Sequence, residues 1–398
     1  MATHSDPAVT SAARFHPLRI GSLSIDPPVV LAPMAGVTNA PFRTLCRRFS
    51  AQRCLYVGEM ITARAFVDGH ARTRQLATFG AEERGVPRSI QLYGTDARYL
   101  GEAARILVEE DGADHIDLNF GCPVRKVTAS GGGAAIPLRP RLLARLVRAV
   151  VVAAGRVPVT MKFRKGVDDG LITCFDAGRV GESEGCAAIA LHARTAAQLY
   201  SGSADWPAIA ALKQAITTIP VLGNGDIFEG EDALRMMRET GCDGVVVGRG
   251  CLGRPWLFRD LCAAFDGTPI PAAPALGEVV DVLREHARLL AEFFGERIGV
   301  MHVRKWTGWY LRGFRGARRV IDALCRVATL AELEAILLAM PREEPYPLTA
   351  LRAKRCKGGQ TQTVSLPPGF LVDRFEDDRE IGGGDECADA DEAARHGG

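Results

Sequence analysis

Eight short apolar or β-branched runs recur through the first 250 residues, and a segment of helical character follows each one. They are VVLAPMAG (29–36), YVGEMI (56–61), SIQLYG (89–94), HIDLNFG (115–121), VPVTMKF (157–163), AIALHAR (188–194), IPVLGNGD (219–226) and GVVVGRG (244–250). Their starts lie roughly 25–40 residues apart, the length that a strand plus a helical return needs. Eight such units predict the α/β fold class and, within it, a (β/α)8 TIM barrel. A doubly wound open sheet is the alternative, but no G-x-G-x-x-G follows the first run, which counts against it. With 47% hydrophobic and 24% charged residues in 398, there is core material for a barrel and a smaller unit behind it.

A barrel places its chemistry at the C-terminal strand ends, and polar or unusual residues gather there. They are Pro33, Met34 and Ala35; Glu59 and Met60; Gln91; Asn119 with Cys122; Lys162; His192 with Arg194; Asn224, Gly225 and Asp226; Gly248 and Arg249. The last two ends read as a phosphate site. Gly223, Gly225, Gly248 and Gly250 let backbone N–H groups approach an anion, and Arg249 adds a charge-assisted clamp. Tight turns alone are the alternative. Lys162 is either half of a buried ion pair or a cation set against an electron-rich ring whose reduced, anionic form it stabilises. Gln91 offers a donor and an acceptor to the edge of a flavin's pyrimidine ring. Together these residues imply a phosphorylated flavin over the barrel mouth. Cys122 follows the fourth run in Gly-Cys-Pro, ahead of the glycine-heavy loop VTASGGGAAI (127–136). Residue type alone favours a buried, inert thiol; the position at a strand end favours a reactive one.

The motifs LAPMAGVTNAPFR (31–43), NFGCPVRKV (119–127), LHARTAAQLYSGSADW (191–206), NGDI (224–227) and VGRG (247–250) occur in this order. In them the chain resembles the tRNA-dihydrouridine synthases, most closely the bacterial B-type group, over about residues 17–340. The resemblance implies an FMN enzyme that reduces the C5–C6 double bond of particular uridines in tRNA, with NADPH as reductant. It assigns Pro33, Met34, Ala35, Gln91, Lys162 and His192 to the flavin, and Asn224, Gly225, Asp226, Gly248 and Arg249 to its ribityl phosphate region. Cys122 becomes the proton donor, Asn119 a neighbour of the target base, and Arg194 a further substrate contact. Such a reduction needs a hydride at one carbon and a proton at the other. A thiol on a loop freed by Gly131, Gly132 and Gly133 suits the second task. Arg125 and Lys126 sit where RNA phosphates would pass.

The expected organisation is a barrel over 15–268, a proline-containing linker PIPAAPALG (269–277), a helical tRNA-binding domain over 278–341 and an extension over 342–398. Between Arg297 and Arg326 there are eight Lys or Arg against one acidic residue, in a chain whose net charge is +2. As one helix over 297–319, Arg297, Arg304, Lys305, Arg312, Arg315 and Arg319 would share an arc of about 100°. Arg304, Lys305, Arg312 and Arg315 are therefore candidate contacts to the tRNA backbone; a solvated basic face is the alternative. From Asp373 onward ten acidic residues face three arginines, which predicts disorder there, as for residues 1–14.

The sequence has no run of about 18 apolar residues and no apolar leader, so no membrane partner is expected and the location is cytoplasmic. The eleven scattered cysteines then read as free thiols. No C-x-x-C pair occurs, so no metal is expected, and the chain is read as a monomer. Two rival functions share parts of this pattern. A flavin barrel acting on a small pyrimidine or enone has no use for the basic helical domain. A non-catalytic RNA-binding barrel has no use for Cys122 together with Lys162.

Overall fold

The computed structural model describes residues 15–353, 355, 360–372 and 374–375. Its strands are β1 (Leu18–Ile20), β2 (Leu23–Ile25), β3 (Val29–Leu31), β4 (Leu55–Thr62), β5 (Ser89–Tyr93), β6 (His115–Phe120), β7 (Val159–Gly166), β8 (Ala188–Thr195), β9 (Val221–Asn224) and β10 (Gly244–Val247). The last eight are parallel and close into a barrel in chain order, with β10 beside β3. These are the eight runs read from the sequence. β3 stops at Leu31, so Pro33, Met34 and Ala35 lie in the loop beyond it.

Strands of a closed parallel barrel are buried on both faces, and the two phases of each strand meet different surroundings. Ile90, Leu92, Ile116, Leu118, Phe120, Met161, Phe163, Ile189 and Leu191 belong to the large core under the surrounding helices. Val30, Ala32, Leu55, Val57, Ala188, Ala190, Leu222 and Val246 form a separate apolar cluster of the opposite phase, inside the barrel. The antiparallel β1–β2 hairpin adds Leu18, Ile20 and Ile25 to that cluster and plugs the N-terminal end. On β5, β6 and β7 the inward phase is polar: Ser89, Gln91, His115, Asp117 and Thr160 are all buried. The barrel interior is thus apolar on one side and hydrogen-bonding on the other.

Four helices follow the barrel: Leu276–Phe294, Glu296–Tyr310, Ala317–Leu324 and Leu330–Leu338. The first begins two residues inside the expected linker. Trp306 is fully buried, with its ring 4.7 Å from that of Phe42 on barrel helix Ala40–Phe49 and 4.4 Å from that of His286. One continuous apolar core therefore runs from the barrel's outer helices into the appendage.

The expected single helix over 297–319 does not exist. The helix ends at Tyr310, and Gly313 turns the chain at φ +87°, packed against Pro347 so closely that a Cβ would lie 2.9 Å from its ring. This break separates the basic residues. Arg304 is half-buried and donates to the Val327 carbonyl at 2.9 Å; Lys305 donates to the Gly36 carbonyl in the barrel. Arg312 and Arg315 lie beyond the turn and are exposed, as are Arg318, Arg319 and Arg326.

The expected disorder of residues 1–14 and of the acidic tail lies outside the described residues, except for Arg374 and Phe375 at its edge. Among the described residues no helix is long and apolar enough to cross a membrane, and no cluster of His, Cys, Asp or Glu is arranged to hold a metal.

Candidate active site

The C-terminal ends of β3, β7, β8, β9 and β10 surround one cleft. Pro33, Met34, Lys162, His192, Tyr200, Asn224, Gly225, Asp226, Gly248 and Arg249 line it. Asn224 is anchored by its side-chain amide on the Val246 carbonyl at 2.7 Å, which stitches β9 to β10. Gly225 follows at φ +131°, a conformation that favours glycine, and a Cβ there would meet Ala204 at 2.6 Å. The guanidinium of Arg249 lies 4.3 Å from the Tyr200 ring centroid and 3.6 Å from Asp226. These groups make a narrow, glycine-walled pocket with a cation at its rim.

Two further groups set the cleft's electrostatics. Desolvation, then repulsion from Arg164, pulls the Lys162 amine down to about 8, against an attraction to Asp117. It stays cationic near neutral pH, and no hydrogen bond or ion pair holds its ammonium among the described residues, so the buried ion-pair alternative is not what forms. Burial holds His192 well below the ordinary imidazole value, reinforced by Arg164, Lys162, Arg194 and Arg249, so it is neutral.

Not every candidate reaches the cleft. Ala35 and Gln91 are not among its lining residues. Arg194 is engaged within the protein: it is 1% exposed and its Nη2 donates to both oxygens of Asp226 at 2.8 Å. Its Nε and Nη2 also donate to the carbonyls of Ser201 and Gly202, so it ties the loop after β8 to Asp226 in the loop after β9. Its Nη1 is buried without a hydrogen-bond partner. Asn119 is likewise engaged. Its oxygen accepts from the backbone amides of Gly121 and Cys122 at 3.0 and 2.9 Å, and its nitrogen donates to Gln91 Oε1 at 2.8 Å.

Asn119 is one end of a chain of hydrogen bonds that was not visible in the sequence. Gln91 Nε2 donates to Asp117 Oδ2 at 2.6 Å, and Thr160 donates to Asp117 Oδ1 at 2.5 Å. Thr160 Oγ1 lies 3.0 Å from His115 Nε2, and His115 Nδ1 lies 2.7 Å from Ser89 Oγ. Since Thr160 gives its proton to Asp117, His115 must carry hydrogen on Nε2 and accept from Ser89 at Nδ1. Burial, which pulls His115 down to about 3, keeps it in that neutral form. Every donor in the network points toward Asp117. Burial pushes this carboxyl up to about 6, against hydrogen bonds from Thr160 and Gln91 and attraction to Lys162. The signal was present in HIDLNF: His115, Asp117 and Asn119 alternate with the apolar residues of a strand that both faces should bury.

Cys122 is half-buried, on a loop pinned by hydrogen bonds. The Gly121 carbonyl accepts from Arg164 Nε at 3.0 Å, the Cys122 carbonyl from the Ala134 amide at 3.0 Å, and the Pro123 carbonyl from Gln362 Nε2 at 2.7 Å. The following residues form a short helix, Arg125–Ala129, and a 3-10 segment, Gly133–Leu138. Gly133, at φ +53°, is required because a Cβ would sit 2.6 Å from the Cys122 carbonyl. Gly132 likewise permits close packing, since a Cβ there would meet the Tyr93 hydroxyl at 2.5 Å. Burial raises the thiol above its ordinary value, outweighing a hydrogen bond from the Val124 amide and the charge of Arg164. Cys46, Cys54, Cys174, Cys186, Cys242, Cys251 and Cys262 are buried, while Cys325 is exposed on the appendage.

A parallel eight-stranded barrel with a cation-walled, glycine-lined cleft and a protonated thiol, all at the C-terminal mouth, belongs among the (β/α)8-barrel enzymes. Comparison with known proteins narrows this. The dihydrouridine synthase (Dus) family model matches residues 30–343, and the chain belongs to that family. A probable tRNA-dihydrouridine synthase of Mycobacterium tuberculosis is 53% identical over 363 residues, spanning 89% of this chain and 92% of that protein. The tRNA-dihydrouridine synthase B of Pseudomonas aeruginosa is 42% identical over 302 residues, spanning 76% of this chain and 89% of that protein.

Proposed function

We propose that this chain is a tRNA-dihydrouridine synthase, an oxidoreductase that reduces the C5–C6 double bond of specific uridines in tRNA with FMN as cofactor and NADPH as reductant. The observation that carries the reading is the place of Cys122, on a pinned loop after β6 and next to β7, whose Lys162 lines the cleft with no ion pair among the described residues. Family membership supplies the reaction class.

The cleft residues suit a phosphorylated flavin. The backbone at Gly225, Gly248 and Gly250 leaves room for a phosphate, Arg249 offers it a charge, and Arg194 Nη1 is an orphaned donor at the adjoining loop. Lys162 and neutral His192 would face the ring, with Pro33 and Met34 against it. When bound, FMN supplies the hydride. The chain's own residues do the rest. Lys162, in the cleft lining, would supply positive charge to stabilise a reduced, anionic flavin. Asn119 orients the Gly121–Cys122 turn through two backbone amides. Cys122 keeps its proton because burial disfavours the thiolate, and it gives that proton to the uridine carbon that does not receive the hydride.

The reading carries with it a cytoplasmic monomer whose macromolecular partner is tRNA. Exposed Arg312, Arg315, Arg318, Arg319 and Arg326 offer charge for the RNA backbone. The deciding experiment incubates the purified protein with FMN, NADPH and unmodified tRNA, and reads dihydrouridine by mass. Formation in the wild type that is lost in Cys122→Ala supports the proposal. A wild type that reduces free uridine or a small enone but leaves tRNA untouched refutes it.

A further inference from the structure

The carbonyls on either side of Cys122 are both held by donors that also hold one neighbouring loop, residues 195–199. On the Gly121 side the donor is Arg164, whose Nη1 donates to Thr195 and Leu199 carbonyls at 2.9 and 2.8 Å while Nε binds Gly121. On the Pro123 side the donor is Gln362, from a part of the chain beyond the family match, which ends at residue 343. Its Nε2 donates to Pro123 at 2.7 Å and to Ala196 at 3.1 Å, and its backbone amide donates to Ala197 at 2.9 Å. A primary amide carries two N–H groups at a wide angle, so one side chain bridges two carbonyls; an oxygen in the same place would repel both.

The rest of the segment fixes where Gln362 sits. Val364, Leu366 and Phe370 pack with Ala135, Leu138, Val167 and Leu171, the far end of the cysteine loop and the loop after β7. The Arg139 guanidinium lies 5.1 Å from the Phe370 ring, and Arg374 Nε donates to the Leu138 carbonyl at 2.8 Å. The C-terminal extension thus grips the Cys122 loop at its start and at its end.

We infer that Gln362 is a positioning residue for the proton donor: the extension over 360–372 clamps the Cys122 loop in the arrangement that proton transfer uses. This rests on the proposed role of Cys122.

Gln362→Met keeps the side-chain length and removes both donors. The first readout is alkylation of Cys122 by iodoacetamide as a function of pH, followed on the Cys122 peptide by mass so that Cys325 does not confuse it. Loosening the loop exposes the thiol, so the midpoint should fall toward the ordinary thiol value and the rate at neutral pH should rise several-fold. The second readout is turnover. The kcat for uridine reduction should drop roughly 10- to 100-fold, the cost of a displaced catalytic group, while KM for tRNA and flavin reduction by NADPH stay near wild type. An alkylation midpoint and rate that match wild type overturn the inference. A shifted midpoint in a protein that makes no dihydrouridine upholds the clamp and defeats the functional reading instead.

Discussion

Asp117 receives the Gln91 side-chain amide at 2.6 Å inside the barrel, and through Gln91 it governs Asn119 and the turn that presents Cys122. The carboxylate accepts on both oxygens, so its ionised form sets the direction of every hydrogen bond leading to the Cys122 turn. A carboxylic acid or amide in its place would have to donate toward Gln91 or Thr160, and one of them would be forced to turn.

Asp117→Asn should therefore lower uridine reduction roughly 10- to 100-fold by displacing the Cys122 turn, with cofactor binding retained. Stability should move the other way. The folded carboxyl titrates near 6, above its ordinary value of 3.8, so the folded protein binds more protons between those values. Wild-type stability then falls as pH rises from about 4 to 6, by about 3 kcal/mol at most. Denaturant titrations should show the variant gaining on wild type across that window and no further above it. A stability difference independent of pH would contradict this account of Asp117.

Cys122→Ala should bind FMN and take electrons from NADPH, because neither step uses the thiol. Uridine reduction should fall by about 10²–10⁴, the usual cost of losing a general acid. Stopped-flow bleaching followed by mixing with tRNA separates the two half-reactions. Dihydrouridine formation at near wild-type rate would remove Cys122 from the chemistry.

Arg249→Ala should loosen the cofactor. A hydrogen bond to a charged group contributes roughly 1.5–3 kcal/mol, so FMN affinity should drop at least about tenfold, read by flavin fluorescence on dilution. The Tyr200 ring beneath the guanidinium should feel the change too. Full flavin retention would place the phosphate elsewhere.

The basic residues of the appendage should divide into two behaviours. Replacing exposed Arg312, Arg315 and Arg319 with Ala should flatten the log–log salt dependence of tRNA binding by up to about 0.9 for each lost phosphate contact on duplex. Lys305→Ala should leave that slope nearly unchanged and cost about 1–3 kcal/mol of stability. The reason is its bond to Gly36, whose amide donates to buried Glu59 at 2.5 Å; burial raises that carboxyl, and Lys305 is among the cations offsetting the penalty. A large slope change at Lys305 would return it to the RNA face.

The barrel was legible because β-branched and apolar runs of strand length recur at a regular interval, and the strand ends exposed Lys162, His192, Asn224 and Arg249 as the cleft. What stayed hidden depended on partners remote in sequence. Asp117 sat in plain view, but the apolar phase of HIDLNF drew attention while the polar phase faced the interior. The ion pair of Arg194 with Asp226 was not legible, because a strand-end arginine and an ion-paired one are spelled alike. The arc of Arg304 to Arg319 assumed a helix through Gly313, and the close approach of Pro347 forbids it. Gln362 lies 239 residues from the carbonyl it binds, and no local pattern announces such a pairing.

Phe42, His286 and Trp306 join barrel and appendage in one apolar interior. Calorimetry should see a single melting event for the two, because neither can open without wetting the other's side of that interior. The same rigidity turns the molecule into a caliper. An RNA gripped at Arg312 and Arg315 would be held at a set span from Cys122, so on the proposed reading the uridine that fits would be chosen by its distance along the folded tRNA as well as by its own atoms.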